Sequence, residues 1–297
     1  MKKVATVVVT YNRLSLLQRL VAALLNQTRK PDAIVIVNND STDGTTEWLK
    51  TQQELTTIHQ PNEGGAAGFY TGMKYAAESG FDYAWVMDDD GLPEPDCLEK
   101  LVSSEALKQS PETVVSSLVL VPGSKSELPF HIPIMNSYNK MLDHYMKRSN
   151  QVSMVKAQAT PLGYEWSIFF NSNLIPTSII KKIGLPRKDF FIWGDEAEYF
   201  ARIKKNKYPM YMVIDSVFYH PAGNASIWSR SGNIPRWKEK YLVRNHTYIH
   251  KKYKPLAWLH HIYMLLRILQ CRKFYLLKPL YHGLTGKFSG SYITDKK

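Results

Sequence analysis

With 297 residues, 44% of them hydrophobic and 12% aromatic, the chain can bury the core of one large domain or of two closely joined ones, which excludes a disordered segment. Its 38 Lys and Arg against 26 Asp and Glu leave a net charge of +12 and favour an anionic partner: nucleotide phosphates, nucleic acid or a negatively charged membrane surface. Cys97 and Cys271 alone build neither a disulfide framework nor a zinc site, in keeping with a reducing compartment.

In chain order, the β-branched run 4–10 (VATVVVT) reads as a buried strand. It is too short for a signal peptide and is stopped by Tyr11-Asn12-Arg13, so the sequence reads as cytoplasmic. Residues 14–26 carry apolar positions at helical spacing. A second buried strand over 33–37 ends in the polar cluster 38–44, and a helix is expected over 45–50. A third strand over 55–60 is followed by PNEGGAAG and a helix to residue 79, and a fourth strand spans 82–87. Strands alternating with helices imply a parallel sheet with right-handed crossovers, so the loops after the strands gather on one edge. One cleft then holds Asn12, Asn39, Asp43, Gly64 and the triplet Asp88-Asp89-Asp90.

The second half is read more loosely. A helix is expected over 96–109, strands over 113–121 and 166–170, a helix over 177–183, an aromatic strand over 190–193, a helix over 197–205 and strands over 210–213 and 217–220, with 122–150 unassigned. No linker separates this half as an independent domain. From Tyr241 onward basic and aromatic residues interleave with leucines. The apolar run 256–266 falls well short of the roughly 20 residues a bilayer span needs. With Lys251, Lys252, Lys254, Arg267, Arg272, Lys273 and Lys278 it suits a helix lying among lipid headgroups or, equally, a packed helical pair with a solvated basic face.

Three adjacent carboxylates at a strand's carboxyl end repel one another and call for a cation; hard oxygen ligands without thiolates select Mg²⁺ or Mn²⁺, with phosphate oxygens completing the shell. A solvated acidic turn is the bland alternative. Asp195 and Glu196 begin a helix, where amide dipoles keep a carboxylate ionised and fit for base work. Trp166 and Trp193 offer flat apolar faces for stacking a ligand ring or, more commonly for tryptophan, for packing in the core.

The segments VVVTYNR (7–13), VNNDSTDGT (37–45), NEGGAAG (62–68) and MDDDG (87–91), in this order, resemble the nucleotide-sugar half of family 2 glycosyltransferases. FIWGDEAEY (191–199) and Tyr219-His220-Pro221 resemble its catalytic-base and metal-histidine segments, and YLVRN (241–245) and GLTGK (283–287) those of the branch holding galactofuranosyl- and rhamnosyltransferases. The resemblance implies an α/β chain of GT-A fold with a Rossmann-like, mostly parallel sheet and a C-terminal helical extension: residues 1–91 as the nucleotide-sugar half, 92–223 as the acceptor half and 224–297 as the extension. It further implies that Thr10, Tyr11, Arg13, Asn39, Asn62, Gly64, Gly65, Asp88 and Asp89 border the nucleotide-sugar, with Asn39 reading the pyrimidine edge. Asp90 and His220 then ligate Mn²⁺ or Mg²⁺, and Glu196 or its neighbour Asp195 is the base; the family more often carries Asp at the Glu196 position.

The activity this implies is inverting, metal-dependent transfer of galactofuranose from UDP-galactofuranose to a lipid-linked or polysaccharide acceptor, with peripheral contact at the inner face of the cell membrane. A rhamnosyltransferase using dTDP-rhamnose is the alternative, and Asp89 leans against it because that branch more often has a non-acidic middle residue. A nucleic-acid binder fits the charge but lacks any glycine-lysine phosphate loop or RNA-binding aromatic motif. A non-catalytic membrane-surface protein is the third reading.

Overall fold

The computed structural model describes residues 2–135, 147–222, 234–288 and 292. Strand and helix alternate first, as expected: β1 (Val4–Thr10), α1 (Leu14–Leu25), β2 (Ala33–Asn38), α2 (Thr45–Lys50), β3 (Leu55–His59), α3 (Gly65–Glu78) and β4 (Tyr83–Asp88). β1 pairs in parallel with β2 on one side and β4 on the other. Every residue of β1 is buried, and its side chains feed two cores: Val4 and Val8 on one face of the sheet, Ala5, Val7 and Val9 on the other. A strand covered on both faces has no reason to alternate, hence the unbroken β-branched run. At about 1.5–3 kcal/mol for each fully buried Val or Ile, this run is a main stabiliser of the sheet.

α3 packs directly on β1. A Cβ on Gly68 would lie 2.4 Å from Val9 Cγ1, so only glycine permits the approach that sets the start of α3 beside the carboxyl end of β1.

The rest of the chain adds β5 (Leu92–Pro93), α4 (Cys97–Val102), α5 (Glu105–Gln109), β6 (Val114–Leu120), β7 (Glu127–Pro133), β8 (Arg148–Gln151), α6 (Val152–Gln158), β9 (Asn171–Pro176), α7 (Thr177–Ile183), α8 (Asp195–Lys205), β10 (Met210–Tyr219), α9 (Arg236–Tyr253), α10 (Ala257–Gln270) and α11 (Leu277–Thr285). The main sheet runs β3-β2-β1-β4-β9-β6-β10-β5, with β9 antiparallel between β4 and β6 and β5 antiparallel to β10; β7 and β8 form a separate pair.

Four expectations are corrected. The helix over 96–109 is two, because Ser104 takes an extended backbone and Ser103 Oγ turns back to donate to the Glu99 carbonyl. The strand expected over 166–170 begins only at Asn171. Phe170 and Ser172 have φ of +58° and +62°, and the strand's polar opening is hidden by bonds such as Trp85 Nε1–H to Ser172 Oγ, 2.9 Å, and Asn173 Nδ2–H to Ser167 Oγ, 2.7 Å. The aromatic stretch 190–193 is not a strand but a short 3₁₀ turn followed by Phe191 and Trp193 at φ +66° and +58°. The two strands expected over 210–213 and 217–220 are one, β10, interrupted by a bulge between Val213 and Val217. Of the unassigned stretch, 136–146 lie outside the described residues.

Candidate active site

β1, β2, β4 and β10 run in one direction, so Thr10, Asn39, the aspartate triplet and His220 meet at their carboxyl ends. Within the triplet the three carboxylates part ways. Asp89 is buried and accepts from Thr10 Oγ1 at 2.7 Å and from Arg13 Nη1 at 3.0 Å, and the same Arg13 nitrogen reaches Asp90 Oδ2 at 2.9 Å. Asp89 thus ties the turn after β4 to the loop after β1. Asp88, which the resemblance puts toward the nucleotide-sugar, lies with Asp90 and His220: one ligand atom of each lies within 4.8 Å of the others.

His220 Nδ1 is 2.7 Å from the Pro221 carbonyl, so Nδ1–H donates there. Against the pull of burial, Asp90 and Asp88 push the His220 pKa up, so Nε2 favours a proton in the absence of a metal, and it faces Asp90 Oδ1 at 3.3 Å. That contact lacks hydrogen-bond geometry, and Asp90 Oδ1 is buried without a donor. Burial, with Asp90 and Asp89 alongside, pushes Asp88 up to about 8. Against the pull of burial, His220 and Arg13 hold Asp90 below the usual carboxylate range. An orphaned buried carboxylate oxygen, a second carboxylate that resists ionising and an imidazole Nε2 whose proton a cation would displace are a donor set that fits Mn²⁺ or Mg²⁺.

The loop residues divide into scaffold and accessible surface. Asn39 Nδ2–H donates to the Gly64 carbonyl at 3.1 Å and its Oδ1 accepts from Gln60 Nε2 at 2.9 Å, so both ends of the amide hold loops together. Asn62 Oδ1 accepts from the Gly64 amide, 3.0 Å, closing an Asx turn. Gly64 has φ +89°, and a Cβ there would lie 2.1 Å from the Phe191 carbonyl oxygen. In contrast, a Cβ on Gly65 would meet nothing within 4 Å, and Tyr11 is exposed. Asp43 holds the first backbone amides of α1 and α2, accepting from the Leu14 amide at 3.0 Å and from the Thr45 amide at 3.2 Å.

At the start of α8, Asp195 is buried, and burial together with the adjacent Glu196 pushes it well above the usual range; Asp88 contributes too. Glu196 Oε2 accepts from the Gly194 amide at 2.9 Å. Glu196 also lines a cavity of 420 Å³ together with Trp166, Phe200, Arg148, His246 and Lys254. Trp166 packs against Phe200 with ring centres 4.4 Å apart and the planes tilted by 48°. Trp193 is not part of this lining; it packs with Val243 and Met264 on the C-terminal helices under Lys238 Nζ, 5.3 Å from its ring. A second cavity of 450 Å³, lined among others by Gln109, Thr160 and Tyr211, touches none of these carboxylates.

The Glycosyl transferase family 2 model matches residues 6–161. The chain belongs to this family. Galactofuranosyltransferase GlfT1 of Mycobacterium tuberculosis (strain H37Rv) is 30% identical to this glycosyltransferase over 227 residues, covering 75% of the chain and 71% of that protein. GlfT1 of Mycolicibacterium smegmatis is 29% identical over 226 residues, 74% and 71% of the two chains. Among solved structures, the mannosyltransferase PcManGT from Pyrobaculum calidifontis in complex with GDP-Man and Mn²⁺ superposes with a TM-score of 0.55 at 17% identity, covering 98% of this chain and 77% of that one. S. aureus TarS 1–349 in complex with UDP gives 0.51 at 13% identity, covering 99% and 75%. These neighbours are GT-A glycosyltransferases, and the family 2 enzyme described here shares their fold.

Several residues around this glycosyltransferase's site carry no local sequence signal. Lys238 lies near Arg13, and burial, with that arginine's charge, lowers its pKa. His246, whose pKa burial also lowers, faces Glu196 across the cavity. Both sit on α9. The YLVRN segment of the same helix clamps the turn that presents Asp195 and Glu196. Asn245 Nδ2–H reaches the carbonyls of Phe190, Ile192 and Trp193 at 3.0, 3.1 and 2.7 Å, and Arg244 Nη2–H those of Asp189 and Phe190. Glu198, fully buried, pairs with Arg202 and accepts from Tyr253 Oη at 2.6 Å, joining α8 to α9.

Proposed function

We propose that this family 2 glycosyltransferase is an inverting, metal-dependent enzyme that transfers galactofuranose from UDP-galactofuranose to a hydroxyl of a lipid-linked or polysaccharide acceptor. The observation that carries the reading is that Asp88 of the Asp88–Asp90–His220 cluster acts electrostatically on Asp195, whose neighbour Glu196 lines a cavity together with an aromatic platform, Trp166. The choice of sugar rests on the likeness to the two mycobacterial galactofuranosyltransferases.

Asp88, Asp90 and His220 would hold Mn²⁺ or Mg²⁺, which when bound neutralises charge on the departing diphosphate. Arg13 and Lys238 add cationic groups on the same side for the phosphates, and Tyr11 and the open start of α3 at Gly65 border the nucleotide. Glu196 takes the proton of the acceptor hydroxyl, and Asp195, kept protonated beside it, donates a hydrogen bond that orients the Glu196 carboxylate. Trp166 stacks the acceptor ring. Asp89 bonds to Thr10 and Arg13, so it is poorly placed to select one donor sugar over another.

The test is a donor panel: melting shifts with UDP- and dTDP-sugars, with and without Mn²⁺, followed by transfer assays with UDP-galactofuranose and dTDP-rhamnose. A ligand of the folded state raises the melting temperature. Mn²⁺-dependent turnover of UDP-galactofuranose is expected; turnover of dTDP-rhamnose alone would overturn the donor, and undiminished turnover in EDTA would overturn the metal.

A further inference from the structure

The exposed apolar surface of the described residues is gathered in one place. Of twelve exposed large apolar side chains, eleven lie between Leu256 and Tyr281, on α10, the turn after it and α11. On α10, Met264 and Ile268 point inward and pack with Leu276 and Leu280. Trp258, Leu259, Ile262, Leu265, Leu266 and Leu269 point outward, with Trp258 and Leu266 each 58% exposed. At 3.6 residues per turn these six cover an arc of about 120°, as wide as the stripe a surface helix normally buries against its core. A patch of this kind marks a contact with something outside the chain.

Charge identifies the partner. No acidic residue lies between Glu239 and Asp295, whereas ten lysines and arginines do, among them Lys254, Arg272 and Lys278 around the apolar face. A second copy docked through the same face would set these cations against one another with no carboxylate to answer them. Anionic lipid headgroups complement them, and Trp258 and Tyr281 are residue types favoured at headgroup level. No helix among the described residues is long and apolar enough to cross a membrane, and α10 has 14 residues, so the contact is with a bilayer's surface and not its thickness.

We propose that α10 and α11 dock this glycosyltransferase on an anionic lipid bilayer. α10 lies in the plane of the headgroups, Trp258, Ile262, Leu266 and Leu269 enter the acyl boundary, and Arg272 and Lys278 face lipid phosphates. The docked hairpin adjoins the Glu196 cavity: His260 of α10 stacks on His250 of α9 with ring centres 3.5 Å apart, and His250 and Lys254 line that cavity. Where the cavity is the acceptor site, a reading that rests on the proposed function, docking sets it level with a glycan carried on lipid.

The docking itself is tested without catalysis, by flotation of the full chain with vesicles of phosphatidylcholine alone and of phosphatidylcholine mixed with phosphatidylglycerol. The wild type is expected to float with the mixed vesicles and to be released by salt. The triple variant Trp258→Ser, Ile262→Ser, Leu266→Ser should lose at least about tenfold in partitioning, with melting temperature and sedimentation unchanged. Arg272→Gln with Lys278→Gln should lose only the preference for phosphatidylglycerol. A triple variant that floats like the wild type overturns the proposal. So does a wild type that floats with neither vesicle and sediments as a dimer that the triple variant dissociates, which would give the face to a second copy.

Discussion

Asp88→Asn should stabilise the fold while weakening its hold on a cation. Burial, then Asp90 and Asp89, push Asp88 up to about 8, whereas an unfolded chain would release that proton near 3.9. A carboxyl raised in this way contributes stability that is fully present below its unfolded value and is lost as pH climbs through the folded value. At 1.36 kcal/mol per pH unit, the penalty at pH 7.5 for a fully desolvated group reaches about 5 kcal/mol. Asp88 keeps some solvent exposure, so screening brings the usable figure to about 2 kcal/mol. The asparagine keeps the shape and removes the charge. In EDTA the variant should therefore melt higher than the wild type by about 4–8 °C at pH 7.5 and by almost nothing near pH 4. Mn²⁺ should reverse the order, raising the wild type and leaving the variant nearly unmoved, because binding to the folded state is what stabilises. Calorimetry across pH 4 to 8.5, with EDTA or Mn²⁺, reads both effects. A variant less stable than the wild type in EDTA at pH 7.5, or one with a full Mn²⁺ shift, would refute the picture of a carboxylate pair in need of a cation.

Two further substitutions separate the proton-accepting and stacking roles. Glu196→Gln should cut kcat by about 10²–10⁴ with the donor-induced melting shift intact; activity within a few-fold of wild type would move the base to Asp195. Trp166→Ala should raise the acceptor KM by up to about tenfold and leave the donor KM alone, since its ring lines the Glu196 cavity, and a change in the donor KM instead would place it on the wrong substrate.

The first half of the fold was legible because its physics is local. Strands buried on both faces read as unbroken β-branched runs, and polar or glycine-rich loops mark their carboxyl ends. β9 escaped because its opening residues, Asn171, Ser172 and Asn173, are polar yet buried: Ser172 is met by the distant Trp85, and Asn171 and Asn173 by the nearby Phe169 carbonyl and Ser167 hydroxyl, which the positive-φ backbone at Phe170 and Ser172 brings round. The turn before α8 escaped for a related reason: Phe191 and Trp193 hold positive φ, which no propensity for bulky aromatics anticipates. At the site, the nearness of Asp90 and His220 followed from two strands ending on one edge. The turning of Asp88 toward that pair, the double commitment of Asn39 and the arrival of Lys238 depend on side-chain directions and on a helix roughly 150 residues later than the triplet, which spacing alone does not carry.

The same helix ties the C-terminal helices to the proposed site. Holding two aromatic residues at positive φ costs on the order of 1–3 kcal/mol apiece, so the turn needs support from outside itself. Three hydrogen bonds from Asn245 and two from Arg244, both buried on α9, provide it, and they end on the carbonyls that lead directly to Gly194 and Glu196. α9 also places Lys238 near Arg13 and His246 in the Glu196 cavity, and then runs into α10 with its outward apolar face. A single helix thus links the group proposed to take the acceptor's proton, the cavity proposed for the acceptor and the surface proposed to meet the bilayer. If all three assignments hold, loosening α9 through Asn245 should disturb turnover before it disturbs lipid binding, because the clamp acts on the Glu196 turn whereas the docking face is built on α10 and α11.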